Sequence, residues 1–171
     1  MVKNFLKGII LNTEVYSNNI DDYIFEAMKV SERLSTCKSR KVVAALVNEK
    51  DPYHILAIGV NGPIRRLATC IDKDICVRRE KGYKSGEGLH ECIGVHAESN
   101  LISICAKCGI STDGLTVYVN TPPCLPCIRT LYFAGIKRIK YIGSYPKEVV
   151  GEGFLYCDKI GIELVNCNIN A

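Results

Sequence analysis

Ten of the 171 residues are cysteine, and any fold for this chain has to find a use for them. Disulfides are the common use of so many thiols, but they persist only in oxidising compartments. The first residues, Met1 to Leu11, are broken by Lys3, Asn4, Lys7 and Gly8 and lead to no small-residue cleavage site, which makes a poor secretory signal. The expectation is a cytoplasmic protein with reduced thiols, some of which bind metal. The longest apolar run, Val42 to Val47, is far short of the roughly 18 residues that cross a bilayer and reads as a buried strand. A hydrophobic fraction of 47% argues for a sizeable core and against disorder. The net charge of +4 is too weak to predict a nucleic-acid partner, so neither membrane nor nucleic acid is expected.

Residues 1–19 lack periodicity and read as an N-terminal extension, leaving 20–171 as a single domain. Asn19 or Asp21 is placed to cap a first helix with Ile20, Ile24, Ala27, Met28 and Leu34 along its apolar stripe. Strands are predicted at Val42–Val47 and His54–Val60, joined by a turn at Asn48–Pro52. Residues 61–94 form a long segment of glycines, charges and Cys/His residues, of a kind that needs a function or an organising metal. Then come a helix over Val95–Cys108 stopped by Gly109, a strand at Leu115–Asn120 and a helix over Cys124–Ala134 closed by Gly135. A strand at Ile139–Ile142, a helix around Glu148–Ile160 and a strand at Ile162–Val165 follow. The alternation predicts an α/β fold, a sheet flanked by helices.

Two short stretches carry the chemistry: His96-Ala97-Glu98 and Pro123-Cys124-Leu125-Pro126-Cys127. His96 and Cys124 each fall at a predicted helix start, and Cys127 lies one turn beyond Cys124, so both thiols can face one ion. Helix N-termini favour thiolate over thiol. Two thiolates and a neutral imidazole make a three-ligand zinc site whose fourth tetrahedral position stays open, as in catalytic rather than structural sites. Glu98, two residues after His96, stands close to the ion without being needed as a ligand, which suits a proton shuttle. A non-catalytic zinc module would have no use for that carboxylate.

The arrangement H-x-E with P-C-x-x-C belongs to zinc nucleobase deaminases, and from Asp21 to Val165 the chain resembles the deoxycytidylate (dCMP) deaminases of the cytidine-deaminase-like superfamily. Further resemblance lies in Leu34-Ser35-Thr36-Cys37, Gly59-Val60-Asn61-Gly62-Pro63, Cys76-Val77-Arg78-Arg79-Glu80-Lys81, Ser85-Gly86-Glu87, His90-Glu91-Cys92, Thr116-Val117-Tyr118-Val119, Ala134-Gly135-Ile136-Lys137 and Tyr145-Pro146. It implies a three-layer α/β/α sandwich around a five-stranded mixed sheet and zinc-dependent hydrolysis of dCMP to dUMP. It also implies that Asn61 contacts the sugar, Glu98 the pyrimidine, and Tyr145 the base or phosphate. A hexamer is implied too, and Leu131-Tyr132-Phe133 offers apolar bulk for such contacts. Some relatives hold a second, structural zinc at the positions of Cys37, Cys70 and His90, with Cys76 or Cys92 as fourth ligand. Two departures touch regulation: Val60 stands where relatives carry Tyr in a motif tied to dCTP and dTTP, and Val43 where a glycine is common.

Other substrates stay open: dCTP, free cytidine or deoxycytidine, and, with a weaker basic surface than it would want, tRNA adenosine. For a 5′-phosphate the candidate donors are Arg40 and Lys41, Arg65 and Arg66, and His90 with Tyr145. Ser39 stands where a relative would place a phosphate-binding arginine. Cys105, Cys108, Cys157 and Cys167 read as buried packing residues.

Overall fold

The computed structural model describes residues 20–63, 69–72, 74–84, 87–144 and 156–167. The expected extension 1–19, Arg65, Arg66, Tyr145 and the first part of the predicted helix 148–160 lie outside the described residues. Helix α1 (Ile20–Ser31) leads through a 3-10 turn (Glu32–Leu34) to strands β1 (Val43–Asn48) and β2 (Asp51–Val60). A short β3 (Gly62–Pro63), two single-turn helices α2 (Thr69–Asp72) and α3 (Val77–Glu80), and β4 (Gly94–Val95) follow. Then come α4 (Ala97–Cys108), β5 (Thr116–Val119), α5 (Leu125–Phe133), β6 (Arg138–Tyr141), a helix α6 over residues 156–160, and β7 (Glu163–Asn166).

The main sheet runs in the order β2-β1-β5-β6-β7. β1 pairs antiparallel with β2 and β5, whereas β5, β6 and β7 are parallel. This is the five-stranded mixed sheet expected. β1 explains why its sequence is apolar without alternation. Ala44 and Leu46 join one core with Leu101, Cys105, Ile128, Leu131 and Cys157 from the α4, α5 and α6 side. Val43, Ala45 and Val47 join a second core with Ile24, Phe25 and Met28 of α1. A strand covered on both faces has no polar side to present. Each fully buried Phe or Met contributes roughly 1.5–3 kcal/mol through apolar burial, so α1 is fixed by Phe25 and Met28 rather than by propensity.

Several sequence expectations shift. β2 begins at Asp51 rather than His54, and the turn narrows to Glu49 and Lys50. Pro52 is tolerated because β2 is an edge strand, where a missing N–H breaks no ladder. Leu34 is 60% exposed and leaves the α1 stripe to Phe25. Cys108 is exposed on the last turn of α4, although Cys105 and Cys157 are buried as expected. Gly109 ends α4 in the left-handed conformation, φ 68°, as its position predicts. The long segment after β2 is closed by β3 pairing with β4, which joins its two ends through Gly62↔Val95 and Pro63↔Gly94. Backbone pairing, which side-chain patterning does not reveal, organises it.

Asp21 does not cap α1; it anchors the helix to the sheet. Its carboxylate accepts from Tyr118 Oη at 2.7 Å and Lys140 Nζ at 2.8 Å. Burial raises the Asp21 pKa, but those hydrogen bonds outweigh it and hold the carboxyl below its ordinary range.

Candidate active site

The start of β1, the end of β2 and the end of β5 meet at one end of the sheet. Asn61 N–H donates to Val42 O at 3.0 Å, and Asn120 N–H to Val43 O at 3.2 Å. The Asn120 side chain completes the junction, accepting from Val43 N–H at 2.9 Å and donating to Glu32 at 2.9 Å. The N-termini of α4 and α5 converge on the same end, with His96 and Cys124 as their N-cap residues, both in extended conformation. Pro126 sits in the first turn of α5, where its missing N–H has no intrahelical role.

His96 Nδ1 lies 3.4 Å from Cys124 Sγ and 3.3 Å from Cys127 Sγ. Zinc–sulfur and zinc–nitrogen bonds of about 2.3 and 2.0–2.1 Å at a tetrahedral angle put the two donors about 3.5 Å apart. The separations fit that ion, and the donor set is one that zinc prefers. The Cys127 Sγ–H against Cys124, with His96 beside it, holds the Cys124 thiol well below its ordinary value. Cys127 is pushed up for the converse reason, facing Cys124 and burial. Contact with Cys124 raises the His96 pKa despite burial. Among the described residues, His96, Cys124 and Cys127 are the one group of three or more such side chains whose donor atoms lie within 4.8 Å of one another.

Glu98 is in the first turn of α4 and 3% exposed. Burial pushes its carboxyl up, and it stands within hydrogen-bond reach of the Cys127 thiol. A buried acid raised toward neutrality can both accept and return a proton. The helix that carries it is seated by Gly59 of β2. A Cβ there would stand 2.7 Å from Leu101 Cα and closer still to Ala97 O and Leu101 N. Asn100 Nδ2 ties the same turn to Val60 O at 2.9 Å.

His96, Glu98 and Cys124 line a cleft of about 160 Å³, together with Asn61, Arg40, Arg78 and the Thr121-Pro122-Pro123 turn. Asn61 borders the cleft, and its side chain clamps the loop before β1. Its Oδ1 accepts from Ser35 Oγ at 2.6 Å and Val42 N–H at 2.8 Å, and its Nδ2 donates to Arg40 O at 2.8 Å. Ser35, 4% exposed, was not singled out from sequence, yet its hydroxyl and carbonyl tie Asn61 to Lys41, whose Nζ donates at 2.8 Å. Arg40 lines the cleft; Lys38, also lining it, is paired with Asp74.

The proposed second-metal set is not brought together. Cys37, Cys70, Cys76 and Cys92 all line the cleft, but no three of them, with or without His90, form a donor group within 4.8 Å. His90 does not line the cleft either: it is an exposed side chain edge-on to Tyr83 at 6.4 Å, with Nε2 4.0 Å from Glu91. The two ends of the segment are joined by β3–β4 pairing. The two departures from the family pattern, Val60 in the regulatory motif and Val43 where a glycine is common, prove to be neighbours, since they are register partners across β1 and β2.

Residues 17–143 match the profile of the cytidine and deoxycytidylate deaminase zinc-binding region. ComE operon protein 2 of Bacillus subtilis is 34% identical over 65% of this chain, and the chain spans only 52% of that protein's length. The deoxycytidylate deaminase of Mycobacterium phage D29 is 30% identical over 75% of this chain and 94% of its own length. Among solved structures, the dCMP deaminase of cyanophage S-TIM5 in complex with dCMP and dUMP superposes with a TM-score of 0.68 at 26% identity, over 87% of this chain and 97% of that one.

Proposed function

Because the chain belongs to the cytidine and deoxycytidylate deaminase family, we propose that it hydrolyses dCMP to dUMP and ammonia. The observation that carries the reading is the junction of two helix N-termini, which sets His96, Cys124 and Cys127 in one donor group with the buried Glu98 beside it. Names of relatives support the substrate: the phage D29 protein is a deoxycytidylate deaminase, and the S-TIM5 enzyme holds dCMP and dUMP.

His96 Nδ1, Cys124 Sγ and Cys127 Sγ hold one zinc ion per chain, which when bound supplies Lewis acidity that makes water easier to deprotonate. Glu98 accepts the first proton of the water and passes it to the ring nitrogen N3, then takes the second from the hydroxyl now on C4 and passes it to the departing amino group. The water oxygen ends on C4, the C4–N bond breaks and ammonia leaves, so atoms and charge balance. Burial raises the proton affinity of the Glu98 carboxyl, which favours its taking up the proton in that exchange. Asn61 and Ser35 fix the loop that forms the sugar side of the cleft. Arg40 lines the same cleft, and Arg65, His90 and Tyr145 are the further candidate contacts to the nucleotide.

Residues 20–171 work as one deaminase domain behind the extension 1–19, in the cytoplasm and as a hexamer. In support of assembly, Phe133 is 85% exposed and stacks edge-on with Tyr132 on α5. No helix among the described residues is long and apolar enough to cross a membrane. Steady-state kinetics of the zinc-loaded protein on dCMP, deoxycytidine, CMP and dCTP test the reading. The highest kcat/KM is expected for dCMP, and equal values for dCMP and deoxycytidine would assign it to free nucleosides.

A further inference from the structure

Two buried side-chain polar atoms among the described residues have no hydrogen-bond partner: Arg78 Nε and Thr121 Oγ1. Both residues line the cleft that holds His96 and Glu98. Folded proteins satisfy nearly all buried polar atoms, so two orphans in one cleft mark a place where a ligand completes the hydrogen bonding.

Arg78 is the more demanding of the two. It projects from the single-turn α3 and is 8% exposed. Its Nη1 donates to Glu87 O at 2.6 Å and the side chain also meets the Cys76 thiol, contacts that fix the plane of the guanidinium but bring it no carboxylate. None of the ion pairs found among the described residues includes it. An arginine cannot shed its proton, so a buried guanidinium without a carboxylate calls for an anion from outside. The neighbouring cation Lys38 is already neutralised by Asp74. We propose that Arg78 determines substrate specificity by binding the 5′-phosphate of the nucleotide through Nε–H and the adjacent edge of its planar fork. A phosphate offers the oxygen pair that such a fork matches, whereas a neutral nucleoside offers that edge no charge. Arg78 and Arg79 are adjacent and alike in sequence; burial separates them, because Arg79 is exposed.

This inference rests on the deaminase reading, and the test separates the two. On zinc-loaded protein, kcat/KM for dCMP and for deoxycytidine is measured in the wild type, Arg78→Gln and Arg78→Lys. The ratio of the two constants is expected to fall at least about 100-fold in Arg78→Gln, mainly through the KM for dCMP, and to fall less in Arg78→Lys, which keeps the charge but loses the fork. An unchanged ratio overturns the proposal, including the case in which both substrates slow equally, as a merely structural arginine would produce. Should Arg78→Gln not fold, Arg78→Lys alone decides, with a fall of at least about tenfold expected. Calorimetry of dUMP against deoxyuridine needs no turnover. If the wild type deaminates nothing, the deaminase reading fails. Loss of the dUMP preference in the variant would still uphold Arg78 as the phosphate residue, and its persistence would reject it.

Discussion

Gly59→Ala probes how the sheet seats the catalytic helix. Gly59 lies in β2 opposite Ala44 of β1, with its missing side chain directed at the first turn of α4. An added Cβ would stand 2.7 Å from Leu101 Cα, with Ala97 O and Leu101 N nearer still. Carbon atoms pack best about 3.5–4.0 Å apart, so strand and helix must separate by about 1 Å. All three obstacles are backbone or Cα atoms, and no rotamer change can relieve them. Overpacking of this kind typically costs about 1–3 kcal/mol, and the upper half of that range is expected here. For a chain of this length each kcal/mol lowers Tm by about 2–4 °C, so a fall of roughly 4–12 °C should be seen by calorimetry. The same displacement moves His96 and Glu98, and a misplacement of about 1 Å in a catalytic group can reduce turnover about 100-fold. A Gly59→Ala variant with wild-type Tm and wild-type kcat/KM for dCMP would refute the view that close approach at this glycine sets the site.

Other perturbations have equally definite outcomes. Glu98→Gln should retain zinc by elemental analysis while kcat falls about 10²–10⁴-fold, and normal turnover would remove Glu98 from the mechanism. The wild type should carry one zinc per chain and Cys127→Ser much less; a reproducible value of two in the wild type would restore the second site on Cys37, Cys70, Cys76, Cys92 and His90. Asp21→Asn should lower the urea midpoint at pH 7 by removing the charge that Lys140 and Tyr118 hold. Because the folded Asp21 carboxyl titrates below its ordinary 3.8, its contribution is complete above that value and is lost as pH falls through the lower folded pKa. The gap between variant and wild type should therefore close in acid, and a gap independent of pH would show that the pairing contributes nothing.

Much of this protein is legible along the chain because its determinants are local. The two-sided burial of β1 is written in Val42 to Val47, the end of α4 in Gly109, and the zinc donors in residues whose spacing follows helix geometry. Cys124 could be placed at a helix start because one turn of helix relates it to Cys127, and His96 because Glu98 falls in the first turn after it. Long-range decisions were not readable. Leu34 and Phe25 are equally apolar, and only the position of the sheet determines that Phe25 is covered and Leu34 is not. Cys37, Cys70, Cys76 and Cys92 look like a ligand set in one dimension, but whether sulfur atoms approach within a few ångströms depends on how the β3–β4 pairing folds the segment between them. Gly59 resembles any strand glycine until α4 lies against it. Likewise Arg78 and Arg79 are adjacent and alike in sequence, and tertiary burial alone separates a solvated charge from one that faces the cleft with a donor to spare. Composition and spacing determine which groups are present; desolvation, which decides what each can do, exists only once the chain has folded around it.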